Sequence, residues 1–348
     1  MAVLLGVSTG MTWYVSRSQK LCVNSNPLQG PGTRYKFATM STDTGHNSSS
    51  GSGEWAYNNP EAITNWAYRA MHGSVEISKQ IIQGYYSQKP TYSYYLGCST
   101  GGRQGLKEAD AYPDDFDGII AGAPAWWTKR LQPWTVKVAL YNLPTTAPHH
   151  IPPSLFPTIA AEVLRQCDFQ DGVTDTIISD LDTCKFQPDT LLCGTSANST
   201  NCLTPAQITT LNKIHAPSTT NNQTFYFPNL AYGTESQWLL VSDSAPNSLG
   251  TDYMRYFLGL GPDWDFNAFN ESIQDLADRM DPGNATVNFD LSSFGKKGGK
   301  VLMYHGLGDG LIPAGSTEYF YKQANRTLSQ MGVEIDQFLK LFWVPGMG

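Results

Sequence analysis

One serine lies in a pattern that could make it a nucleophile. The segment from Gly97 to Gly101 reads Gly-Cys-Ser-Thr-Gly; it ends a β-prone stretch from Tyr92 and precedes a stretch of helical composition from Gln104 to Tyr112. A Gly-x-Ser-x-Gly turn between a strand and a helix exposes the serine oxygen and directs the next backbone N–H at a developing oxyanion. We therefore predict that Ser99 is a nucleophile and Thr100 an oxyanion donor. The alternative is an ordinary glycine-rich loop.

An aspartate lies where the acid of a Ser-acid-His triad is expected. In proteins with this serine turn the acid follows the serine along the chain, on a loop after a later strand. The apolar run from Lys300 to Tyr304 is a candidate strand, and Asp309 lies in the glycine-rich loop behind it. We predict that Asp309 orients the catalytic base. Alternatively, Asp309 caps a helix expected from near Ala314.

The base is not evident from the sequence. None of the histidines follows Asp309, where the base is expected; they are His46, His72, His149, His150, His215 and His305. His305 lies on the strand before the acid, and His72 lies inside a predicted helix. The strand-like segment Phe338 to Trp343 precedes the place where the loop that carries the base would be expected.

The elements around these residues predict an α/β protein. Helical spacing of apolar residues runs from Asn65 to Tyr85, and short apolar runs typical of buried parallel strands occur at residues 92–97, 117–121 and 300–304. From residue 124 to 299 the alternation of strand and helix is lost. With the serine turn, this pattern predicts an α/β-hydrolase fold in two parts, 1–123 and 300–348, with a large inserted lid domain at 124–299. The second part is expected to lack its C-terminal end.

Charge and hydropathy argue against two classes of partner. The 348 residues hold 23 Lys and Arg against 30 Asp and Glu, with no basic run. Binding to nucleic acid needs a basic surface, so we expect no nucleic-acid partner. The apolar run from Ala2 to Val7 is far shorter than the roughly 20 residues of a membrane span, so we expect no membrane partner and no complete signal peptide in this chain.

Cysteines and sequons indicate an exported glycoprotein. Six cysteines occur with six Asn-x-Ser/Thr sequons, at Asn47, Asn198, Asn222, Asn270, Asn284 and Asn325. Four cysteines cluster in one polar stretch, where local bridges Cys167–Cys184 and Cys193–Cys202 are the economical pairing. Cys22 and Cys98 remain without an assigned partner. The alternative is that the four clustered cysteines are reduced buried thiols.

The sequence around these motifs resembles the tannase and feruloyl esterase family, most closely its type B feruloyl esterases. The matching blocks run from Tyr95 to Ala109 and from Tyr112 to Trp127, with further matches at Asp43–His46 and His305–Pro313. The resemblance implies a serine esterase that hydrolyses hydroxycinnamate esters, either small phenolic esters or feruloylated polysaccharide, through an acyl-enzyme. The alternatives are a tannase that acts on galloyl esters, or an inactive fragment or binding protein.

The resemblance also implies roles for individual residues. Members of the family carry a Cys-Ser pair at the nucleophile, a catalytic Asp, and a His-Cys pair after a Pro-Gly-Met-Gly-like turn, with the two cysteines bridged. Cys98-Ser99 and Asp309 match the first two features. The His-Cys pair is expected directly after Gly348, so the chain is expected to be truncated at both ends. Cys98 is then either free or paired with Cys22.

The family further places a structural calcium ion in the lid, and no organic cofactor is expected. The implied ligands are the carboxylates of Asp168, Asp171 and Asp175 and the carbonyls of Val173 and Ile177. Oxygen ligands from a short loop suit calcium, although this spacing is not that of an EF-hand. The alternative is an acidic turn that is simply solvated.

Overall fold

The strands of this chain form one parallel sheet and one small hairpin. In the computed structural model the described residues are 2–6, for which only the backbone is described, 35–49, 51–194 and 201–348. The strands are β1 (Ala2–Gly6), β2 (Ala38–Met40), β3 (Tyr92–Cys98), β4 (Gly118–Gly122), β5 (Ser218–Thr219), β6 (Phe225–Phe227), β7 (Lys300–Gly306) and β8 (Leu339–Val344). Within these ranges, six strands form the parallel sheet in the order β2-β1-β3-β4-β7-β8, and β5 pairs with β6.

Helices cover the sheet and fill the segment between β4 and β7. The α-helices of the described residues are α1 (Pro60–Thr64), α2 (Ala70–Tyr86), α3 (Thr100–Ala111), α4 (Thr128–Tyr141), α5 (Phe156–Cys167), α6 (Pro205–Ile214), α7 (Ser248–Asp252), α8 (Glu271–Met280), α9 (Ser292–Lys296) and α10 (Ala314–Gln330). Two π-helical turns, Asn65–Arg69 and Tyr253–Phe257, continue or precede these helices. Short 3₁₀ turns supply further connections, at Glu54–Ala56, Pro153–Leu155, Asp168–Asp171, Pro188–Leu191, Glu235–Gln237, Phe266–Ala268, Pro282–Asn284 and Ile335–Gln337.

The predicted elements are present, together with four strands that the sequence patterns do not predict. The strands predicted at 92–97, 117–121 and 300–304 are β3, β4 and β7, and the helix predicted from Ala314 is α10. The additional strands are β1, β2, β5 and β6. Since β2, β5 and β6 have two or three residues each, they are too short for a periodicity to be recognised, and the apolar run at β1 is informative only about membrane spans.

A row of buried side chains explains why these strands align as they do. Tyr95, Ile119, Val301 and Leu339 are register partners on four adjacent strands, and each is at most 3% exposed. Because side chains alternate along a strand, a slip of one residue would move such a row to the other face of the sheet. The Tyr95 hydroxyl also donates a hydrogen bond of 2.6 Å to the carbonyl of Gly101 in α3, which fixes the helix on this face.

The chain makes a long insertion between two strands that are neighbours in the sheet. β4 and β7 are hydrogen-bonded partners, yet residues 123–299 separate them. Within the described part of that stretch, no residue joins the six-stranded sheet. Trp126 at the start of the stretch is buried, and its indole N–H donates to the carbonyl of Ser316 in α10. The domain boundaries at 124 and 299 themselves stay a prediction.

The two predicted local disulfides are confirmed. Cys167 is bonded to Cys184, and Cys193 to Cys202. Cys98 is also disulfide-bonded, whereas Cys22 and the sequon at Asn198 lie outside the described residues. None of the described helices combines the length and the apolar character needed to cross a bilayer.

Replacing Tyr95 with Phe should destabilise the fold by about 1–2 kcal/mol, because the mutation removes a buried hydrogen bond and leaves the ring in place. Denaturant unfolding measures this difference. Tyr92→Phe is the matched control on the same strand, since Tyr92 is 52% exposed. Equal free energies of unfolding for the two variants would contradict the role given to the Tyr95 hydroxyl.

Candidate active site

Ser99 occupies a strained turn between β3 and α3. Its backbone has φ 61° and ψ −121°, in the region that favours glycine. For a residue with a side chain such a conformation costs of order 1–3 kcal/mol, and it persists only where the surroundings impose it. Here the Ser99 N–H donates to the carbonyl of Gly122 at the end of β4, and the Ser99 carbonyl accepts from the N–H groups of Arg103 and Ala125.

Close packing requires glycine at two positions next to Ser99, Gly97 and Gly102. A Cβ atom on Gly97 would lie 2.5 Å from the Tyr95 hydroxyl oxygen and 2.6 Å from the Gly101 backbone. A Cβ atom on Gly102 would lie 2.4 Å from the carbonyl oxygen of Gly122. The helix therefore approaches the sheet more closely than any side chain at these positions permits.

The serine hydroxyl and the first helical N–H group are both available for a ligand. Ser99 is the N-cap residue of α3, and its side chain makes no capping hydrogen bond. The first N–H groups of a helix have no partner within the helix, and the helix dipole favours negative charge at this end. Thr100 is the first residue of α3, so its N–H lies where an oxyanion donor next to Ser99 is needed.

Asp309 lies in the loop after β7 and is held by that loop. Its Oδ1 accepts hydrogen bonds from the N–H groups of Leu311 and Ile312, each at 2.9 Å. Its Oδ2 is 3.3 Å from Nε2 of His305. The N-cap position of α10 is Pro313, without a side-chain capping bond, so Asp309 does not cap that helix. The carboxylate is oriented by a turn at the same edge of the sheet as Ser99.

His305 is a structural partner of this loop. It is fully buried, with Nδ1 2.7 Å from the Thr317 hydroxyl oxygen and Nε2 2.8 Å from the Ile312 carbonyl oxygen. These partners indicate that Nε2 carries the proton and Nδ1 accepts from Thr317. Because both ring nitrogens are engaged, His305 is not placed to accept a proton from Ser99.

The segment after β8 runs alongside the acid loop. The N–H of Leu307 donates to the carbonyl of Val344, and the N–H of Gly308 donates to the carbonyl of Met347. Gly306 and Gly308 allow this approach, since a Cβ atom on Gly306 would lie 2.1 Å from the Met347 carbonyl oxygen. The segment from Val344 to Gly348 is thus held beside the loop that carries Asp309. Among the described residues, no histidine contacts both Ser99 and Asp309.

A cavity of about 110 Å³ opens next to Thr100. Its other walls come from the loop at residues 46–55 and from the insertion, which contributes Gln132, Asp252 and Tyr253. Asp252 joins these two walls, because its Oδ2 accepts a hydrogen bond from the N–H of Gly53. Both π-helical turns line the cavity, through Trp66 and through Tyr253 and Phe257. Such turns occur frequently at functional sites.

His46 is a cavity residue whose role the sequence did not reveal. Its ring stacks on Trp55 with centroids 4.0 Å apart. Burial lowers the pKa of His46, while the backbone of Thr44 and the carboxylate of Asp43 act in the opposite direction, so the ring is neutral near pH 7. The sequence signal was the match at Asp43–His46, which pointed to the segment without assigning a function.

Arg103 fixes the π-helical turn against α3. The guanidinium is 1% exposed, donates to the carbonyl of Ala67, and lies 4.3 Å from the ring centroid of Trp66. Burial lowers the pKa of Arg103 to about 10, which still leaves it charged at neutral pH. The nucleophile helix and the aromatic wall of the cavity are therefore joined by one buried cation.

The loop predicted to bind calcium is folded around its own carboxylates. Oδ1 of Asp168 accepts from the N–H groups of Asp175 and Thr176. Asp171 accepts from Val173 and Ser179, and Asp175 from Ile177. In the described part of the chain, these three carboxylates do not form a group whose ligand oxygens all lie within 4.8 Å of one another. The oxygen donors are of the type that calcium takes, but calcium at this loop stays a prediction.

The chain matches known proteins in both sequence and fold. The family model described as tannase and feruloyl esterase matches residues 9–236 and 262–348. The chain belongs to this family. Its sheet and the turn at Ser99 are those of an α/β-hydrolase-like fold.

This chain is also similar to individual proteins of the family. A probable feruloyl esterase B-2 from Neosartorya fischeri is 38% identical over 314 residues, which is 89% of this chain and 59% of that relative. The crystal structure of feruloyl esterase B from Aspergillus oryzae has a TM-score of 0.89 and 33% identity, over 99% of this chain and 68% of that one. A tannin acyl hydrolase from Aspergillus niger, at TM-score 0.80, 21% identity and coverage of 99% and 68%, shares the fold. The chain spans about six tenths of the length of its curated relatives.

Replacing Gly102 with Ala should prevent normal packing of the nucleophile helix, because the new methyl group would meet backbone atoms of β4 that cannot rotate away. We expect a loss of about 1–3 kcal/mol or more in the free energy of unfolding. The control is Gly84→Ala in α2, where a Cβ atom meets nothing within 4 Å and should stabilise by about 0.5–1 kcal/mol. Thermal unfolding of both variants measures the contrast. Similar melting temperatures would disprove the close approach.

Proposed function

We propose that the protein containing this chain is a serine esterase that hydrolyses hydroxycinnamate esters of the feruloyl type. The observation that carries this proposal is the turn at Ser99, where a hydroxyl without a capping role precedes the first N–H groups of a helix. The next residue, Thr100, lines a cavity. This arrangement is the one that nucleophilic acyl transfer requires. The relatives that bear the name feruloyl esterase B support the substrate class.

The proposed reaction proceeds in two steps. The Ser99 oxygen attacks the ester carbonyl, a base takes its proton, and the N–H of Thr100 stabilises the developing oxyanion. The alcohol then leaves, and water hydrolyses the acyl-enzyme. Asp309 orients the base through Oδ2, since the N–H groups of Leu311 and Ile312 occupy Oδ1. His305 Nε2 lies 3.3 Å from the same Oδ2 but donates to the carbonyl of Ile312.

The base is proposed to be a histidine after Gly348. The resemblance to the family implies a His-Cys pair after a Pro-Gly-Met-Gly-like turn, which Pro345–Gly348 matches in sequence. The packing of Met347 against Gly306 and Gly308 supports this assignment, because it brings the end of the turn to the acid loop. His305, which lies 3.3 Å from Asp309, does not compete for the role, since it is buried with both ring nitrogens bonded.

The cavity supports an aromatic acyl group. Trp55, Trp66, Tyr253 and Phe257 give it aromatic walls, on which a phenolic ring can pack by stacking or by edge contacts. The substrate would be a small phenolic ester or a feruloylated polysaccharide, so the alcohol released would be a small alcohol or a polysaccharide hydroxyl group. The galloyl group is the competing acyl group. The likeness to a tannin acyl hydrolase does not favour galloyl esters, because that likeness extends to the fold alone.

Hydrolysis of methyl ferulate by the full protein tests the proposal. Ser99→Ala should lower kcat by about 10⁶-fold, and Asp309→Asn by about 10⁴-fold through loss of base orientation. Ser329→Ala, on the exposed face of α10, is the control and should retain full activity. A fluorophosphonate probe should label Ser99 in the wild-type protein and in the control.

Two results would decide against the proposal. Activity that survives Ser99→Ala would remove the serine from the mechanism. A full protein that neither hydrolyses methyl ferulate nor reacts with the probe would instead be a binding protein. Faster turnover of methyl gallate than of methyl ferulate would keep the serine mechanism and identify a tannase.

We also propose that the protein is exported, glycosylated and stabilised by calcium. Two disulfides support an oxidising compartment. The five sequon asparagines within the described ranges, Asn47, Asn222, Asn270, Asn284 and Asn325, are all exposed, as glycan acceptors must be. Calcium is supported by the oxygen-rich loop at Asp168–Ile177.

Calcium should raise the melting temperature of the chelator-treated full protein, since a ligand that binds only the folded state stabilises it. The shift should disappear in Asp171→Asn, whose carboxylate belongs to the proposed loop, and persist in Asp182→Asn, an exposed acid nearby. Calorimetric scans with and without calcium measure this effect. An equal shift in both variants would place the ion elsewhere.

A further inference from the structure

A cluster of three side chains that each offer a metal-ligand atom lies outside the proposed catalytic site. His72 comes from α2, Glu108 from α3, and Asp115 from the turn between α3 and β4. One ligand atom from each residue lies within 4.8 Å of the other two, and among the described residues no other group of this kind reaches that spacing. Three different elements therefore converge on one point.

Glu108 is the decisive member of this group. It is 1% exposed, and neither oxygen of its carboxylate has a hydrogen-bond partner in the described part of the structure. It faces Asp115, whose side chain is also largely buried. Two carboxylates that face each other in a buried place need something positive between them, which is either a proton or a cation.

The surrounding positive charges leave Glu108 without a partner. The ammonium of Lys79 donates to the main-chain carbonyls of Asp114 and Asp115, and it is 3.9 Å from the carboxylate of Asp115 rather than that of Glu108. No described lysine or arginine forms an ion pair with Glu108.

His72 is oriented as a metal-binding imidazole would be. Its Nδ1 is at a hydrogen-bonding distance of 2.6 Å from Oδ2 of Asp115, so a metal ion would replace the proton that these two atoms share. The His72 ring stacks on Tyr112 with centroids 3.6 Å apart. Its other nitrogen, Nε2, is 3.8 Å from the carboxylate of Glu76. A carboxylate behind the second ring nitrogen is the usual support of a metal-bound histidine. The His72 side chain is 25% exposed, so an ion could enter beside it.

We propose that His72, Glu108 and Asp115 bind a divalent transition-metal ion of the zinc type. The ligands are Nδ1 of His72 and one carboxylate oxygen each from Glu108 and Asp115. Mixed nitrogen and oxygen ligands suit zinc, whereas calcium takes oxygen ligands. Two carboxylates and a neutral imidazole carry a charge of −2 that such an ion balances. The ion would tie α2 and the nucleophile helix to the turn that leads into β4, which is a structural role.

Zinc titration of the chelator-treated full protein by calorimetry tests this proposal. We expect one zinc ion per chain at this site, with binding at least 100-fold weaker in His72→Gln and in Glu108→Gln. Glu76→Gln should weaken binding by roughly 10- to 100-fold, as loss of a supporting carboxylate does. Asp182→Asn and His149→Gln are controls, one at an exposed acid and one at a histidine far from α3 in sequence, and should leave zinc affinity unchanged.

Cobalt provides a second measurement that does not depend on stability. Visible absorption of Co²⁺ bound to the wild-type protein should change in His72→Gln, because the nitrogen ligand is lost, and should remain unchanged in His149→Gln. Circular dichroism establishes that each variant is folded. If Glu108→Gln does not fold, the cobalt comparison on His72→Gln decides the outcome.

The proposal fails if the wild-type protein takes up no zinc in a one-to-one ratio. It also fails if His72→Gln and Glu108→Gln bind zinc as tightly as the wild-type protein. Either result would mean that a proton shared between Glu108 and Asp115 satisfies the two carboxylates. Hydrolysis of methyl ferulate is measured separately, so failure of the metal site would leave the proposed esterase activity untouched.

Discussion

The close approach of α3 to the sheet is the constraint on which the proposed site depends. Ser99 adopts a backbone with positive φ because its surroundings hold it there. Its N–H donates to the carbonyl of Gly122 at the end of β4. The packing on either side leaves no room for side chains at Gly97 and Gly102. The packing and hydrogen bonds of these surroundings offset the free energy that the strained backbone of Ser99 costs. The same strain lifts the hydroxyl away from its own helix, which would otherwise be capped by it.

Buried charges on α3 extend this constraint to the rest of the molecule. Arg103 and Lys107 are both almost completely buried, and both donate to main-chain carbonyls in the insertion, at Ala285 and Thr286. Arg103 also holds the turn that carries Trp66. The helix that presents the nucleophile is thus the element to which the cavity wall and the end of the insertion are attached. Breaking one of these contacts would leave a buried charge with fewer partners, which is costly, so the contacts favour one arrangement of the helix and the insertion.

Much of the fold could be predicted because its elements carry local signals. The serine turn, the strands next to it and the local cysteine pairs are all encoded within short segments. The cavity could not be predicted in this way, because Trp66 and Tyr253 are distant in sequence and their helical segments change to π-helical turns only in the folded chain. The lack of a hydrogen-bond partner for Glu108 could not be predicted either, since the composition of α3 does not show which of its charged residues lacks a partner. Asp309 was found through its position after a strand, but its support by the Leu311 and Ile312 amides required the structure.

The pairing of β4 with β7 also has a consequence for how the chain acquires its shape. These adjacent strands are separated by the entire insertion, so the sheet cannot be completed until the ribosome has synthesised that long stretch. Contacts between residues so distant in sequence form slowly, because a large loop must close first. The four strands that precede the insertion must therefore remain with an unpaired edge at β4 until β7 is made, which exposes that edge to mispairing with other chains.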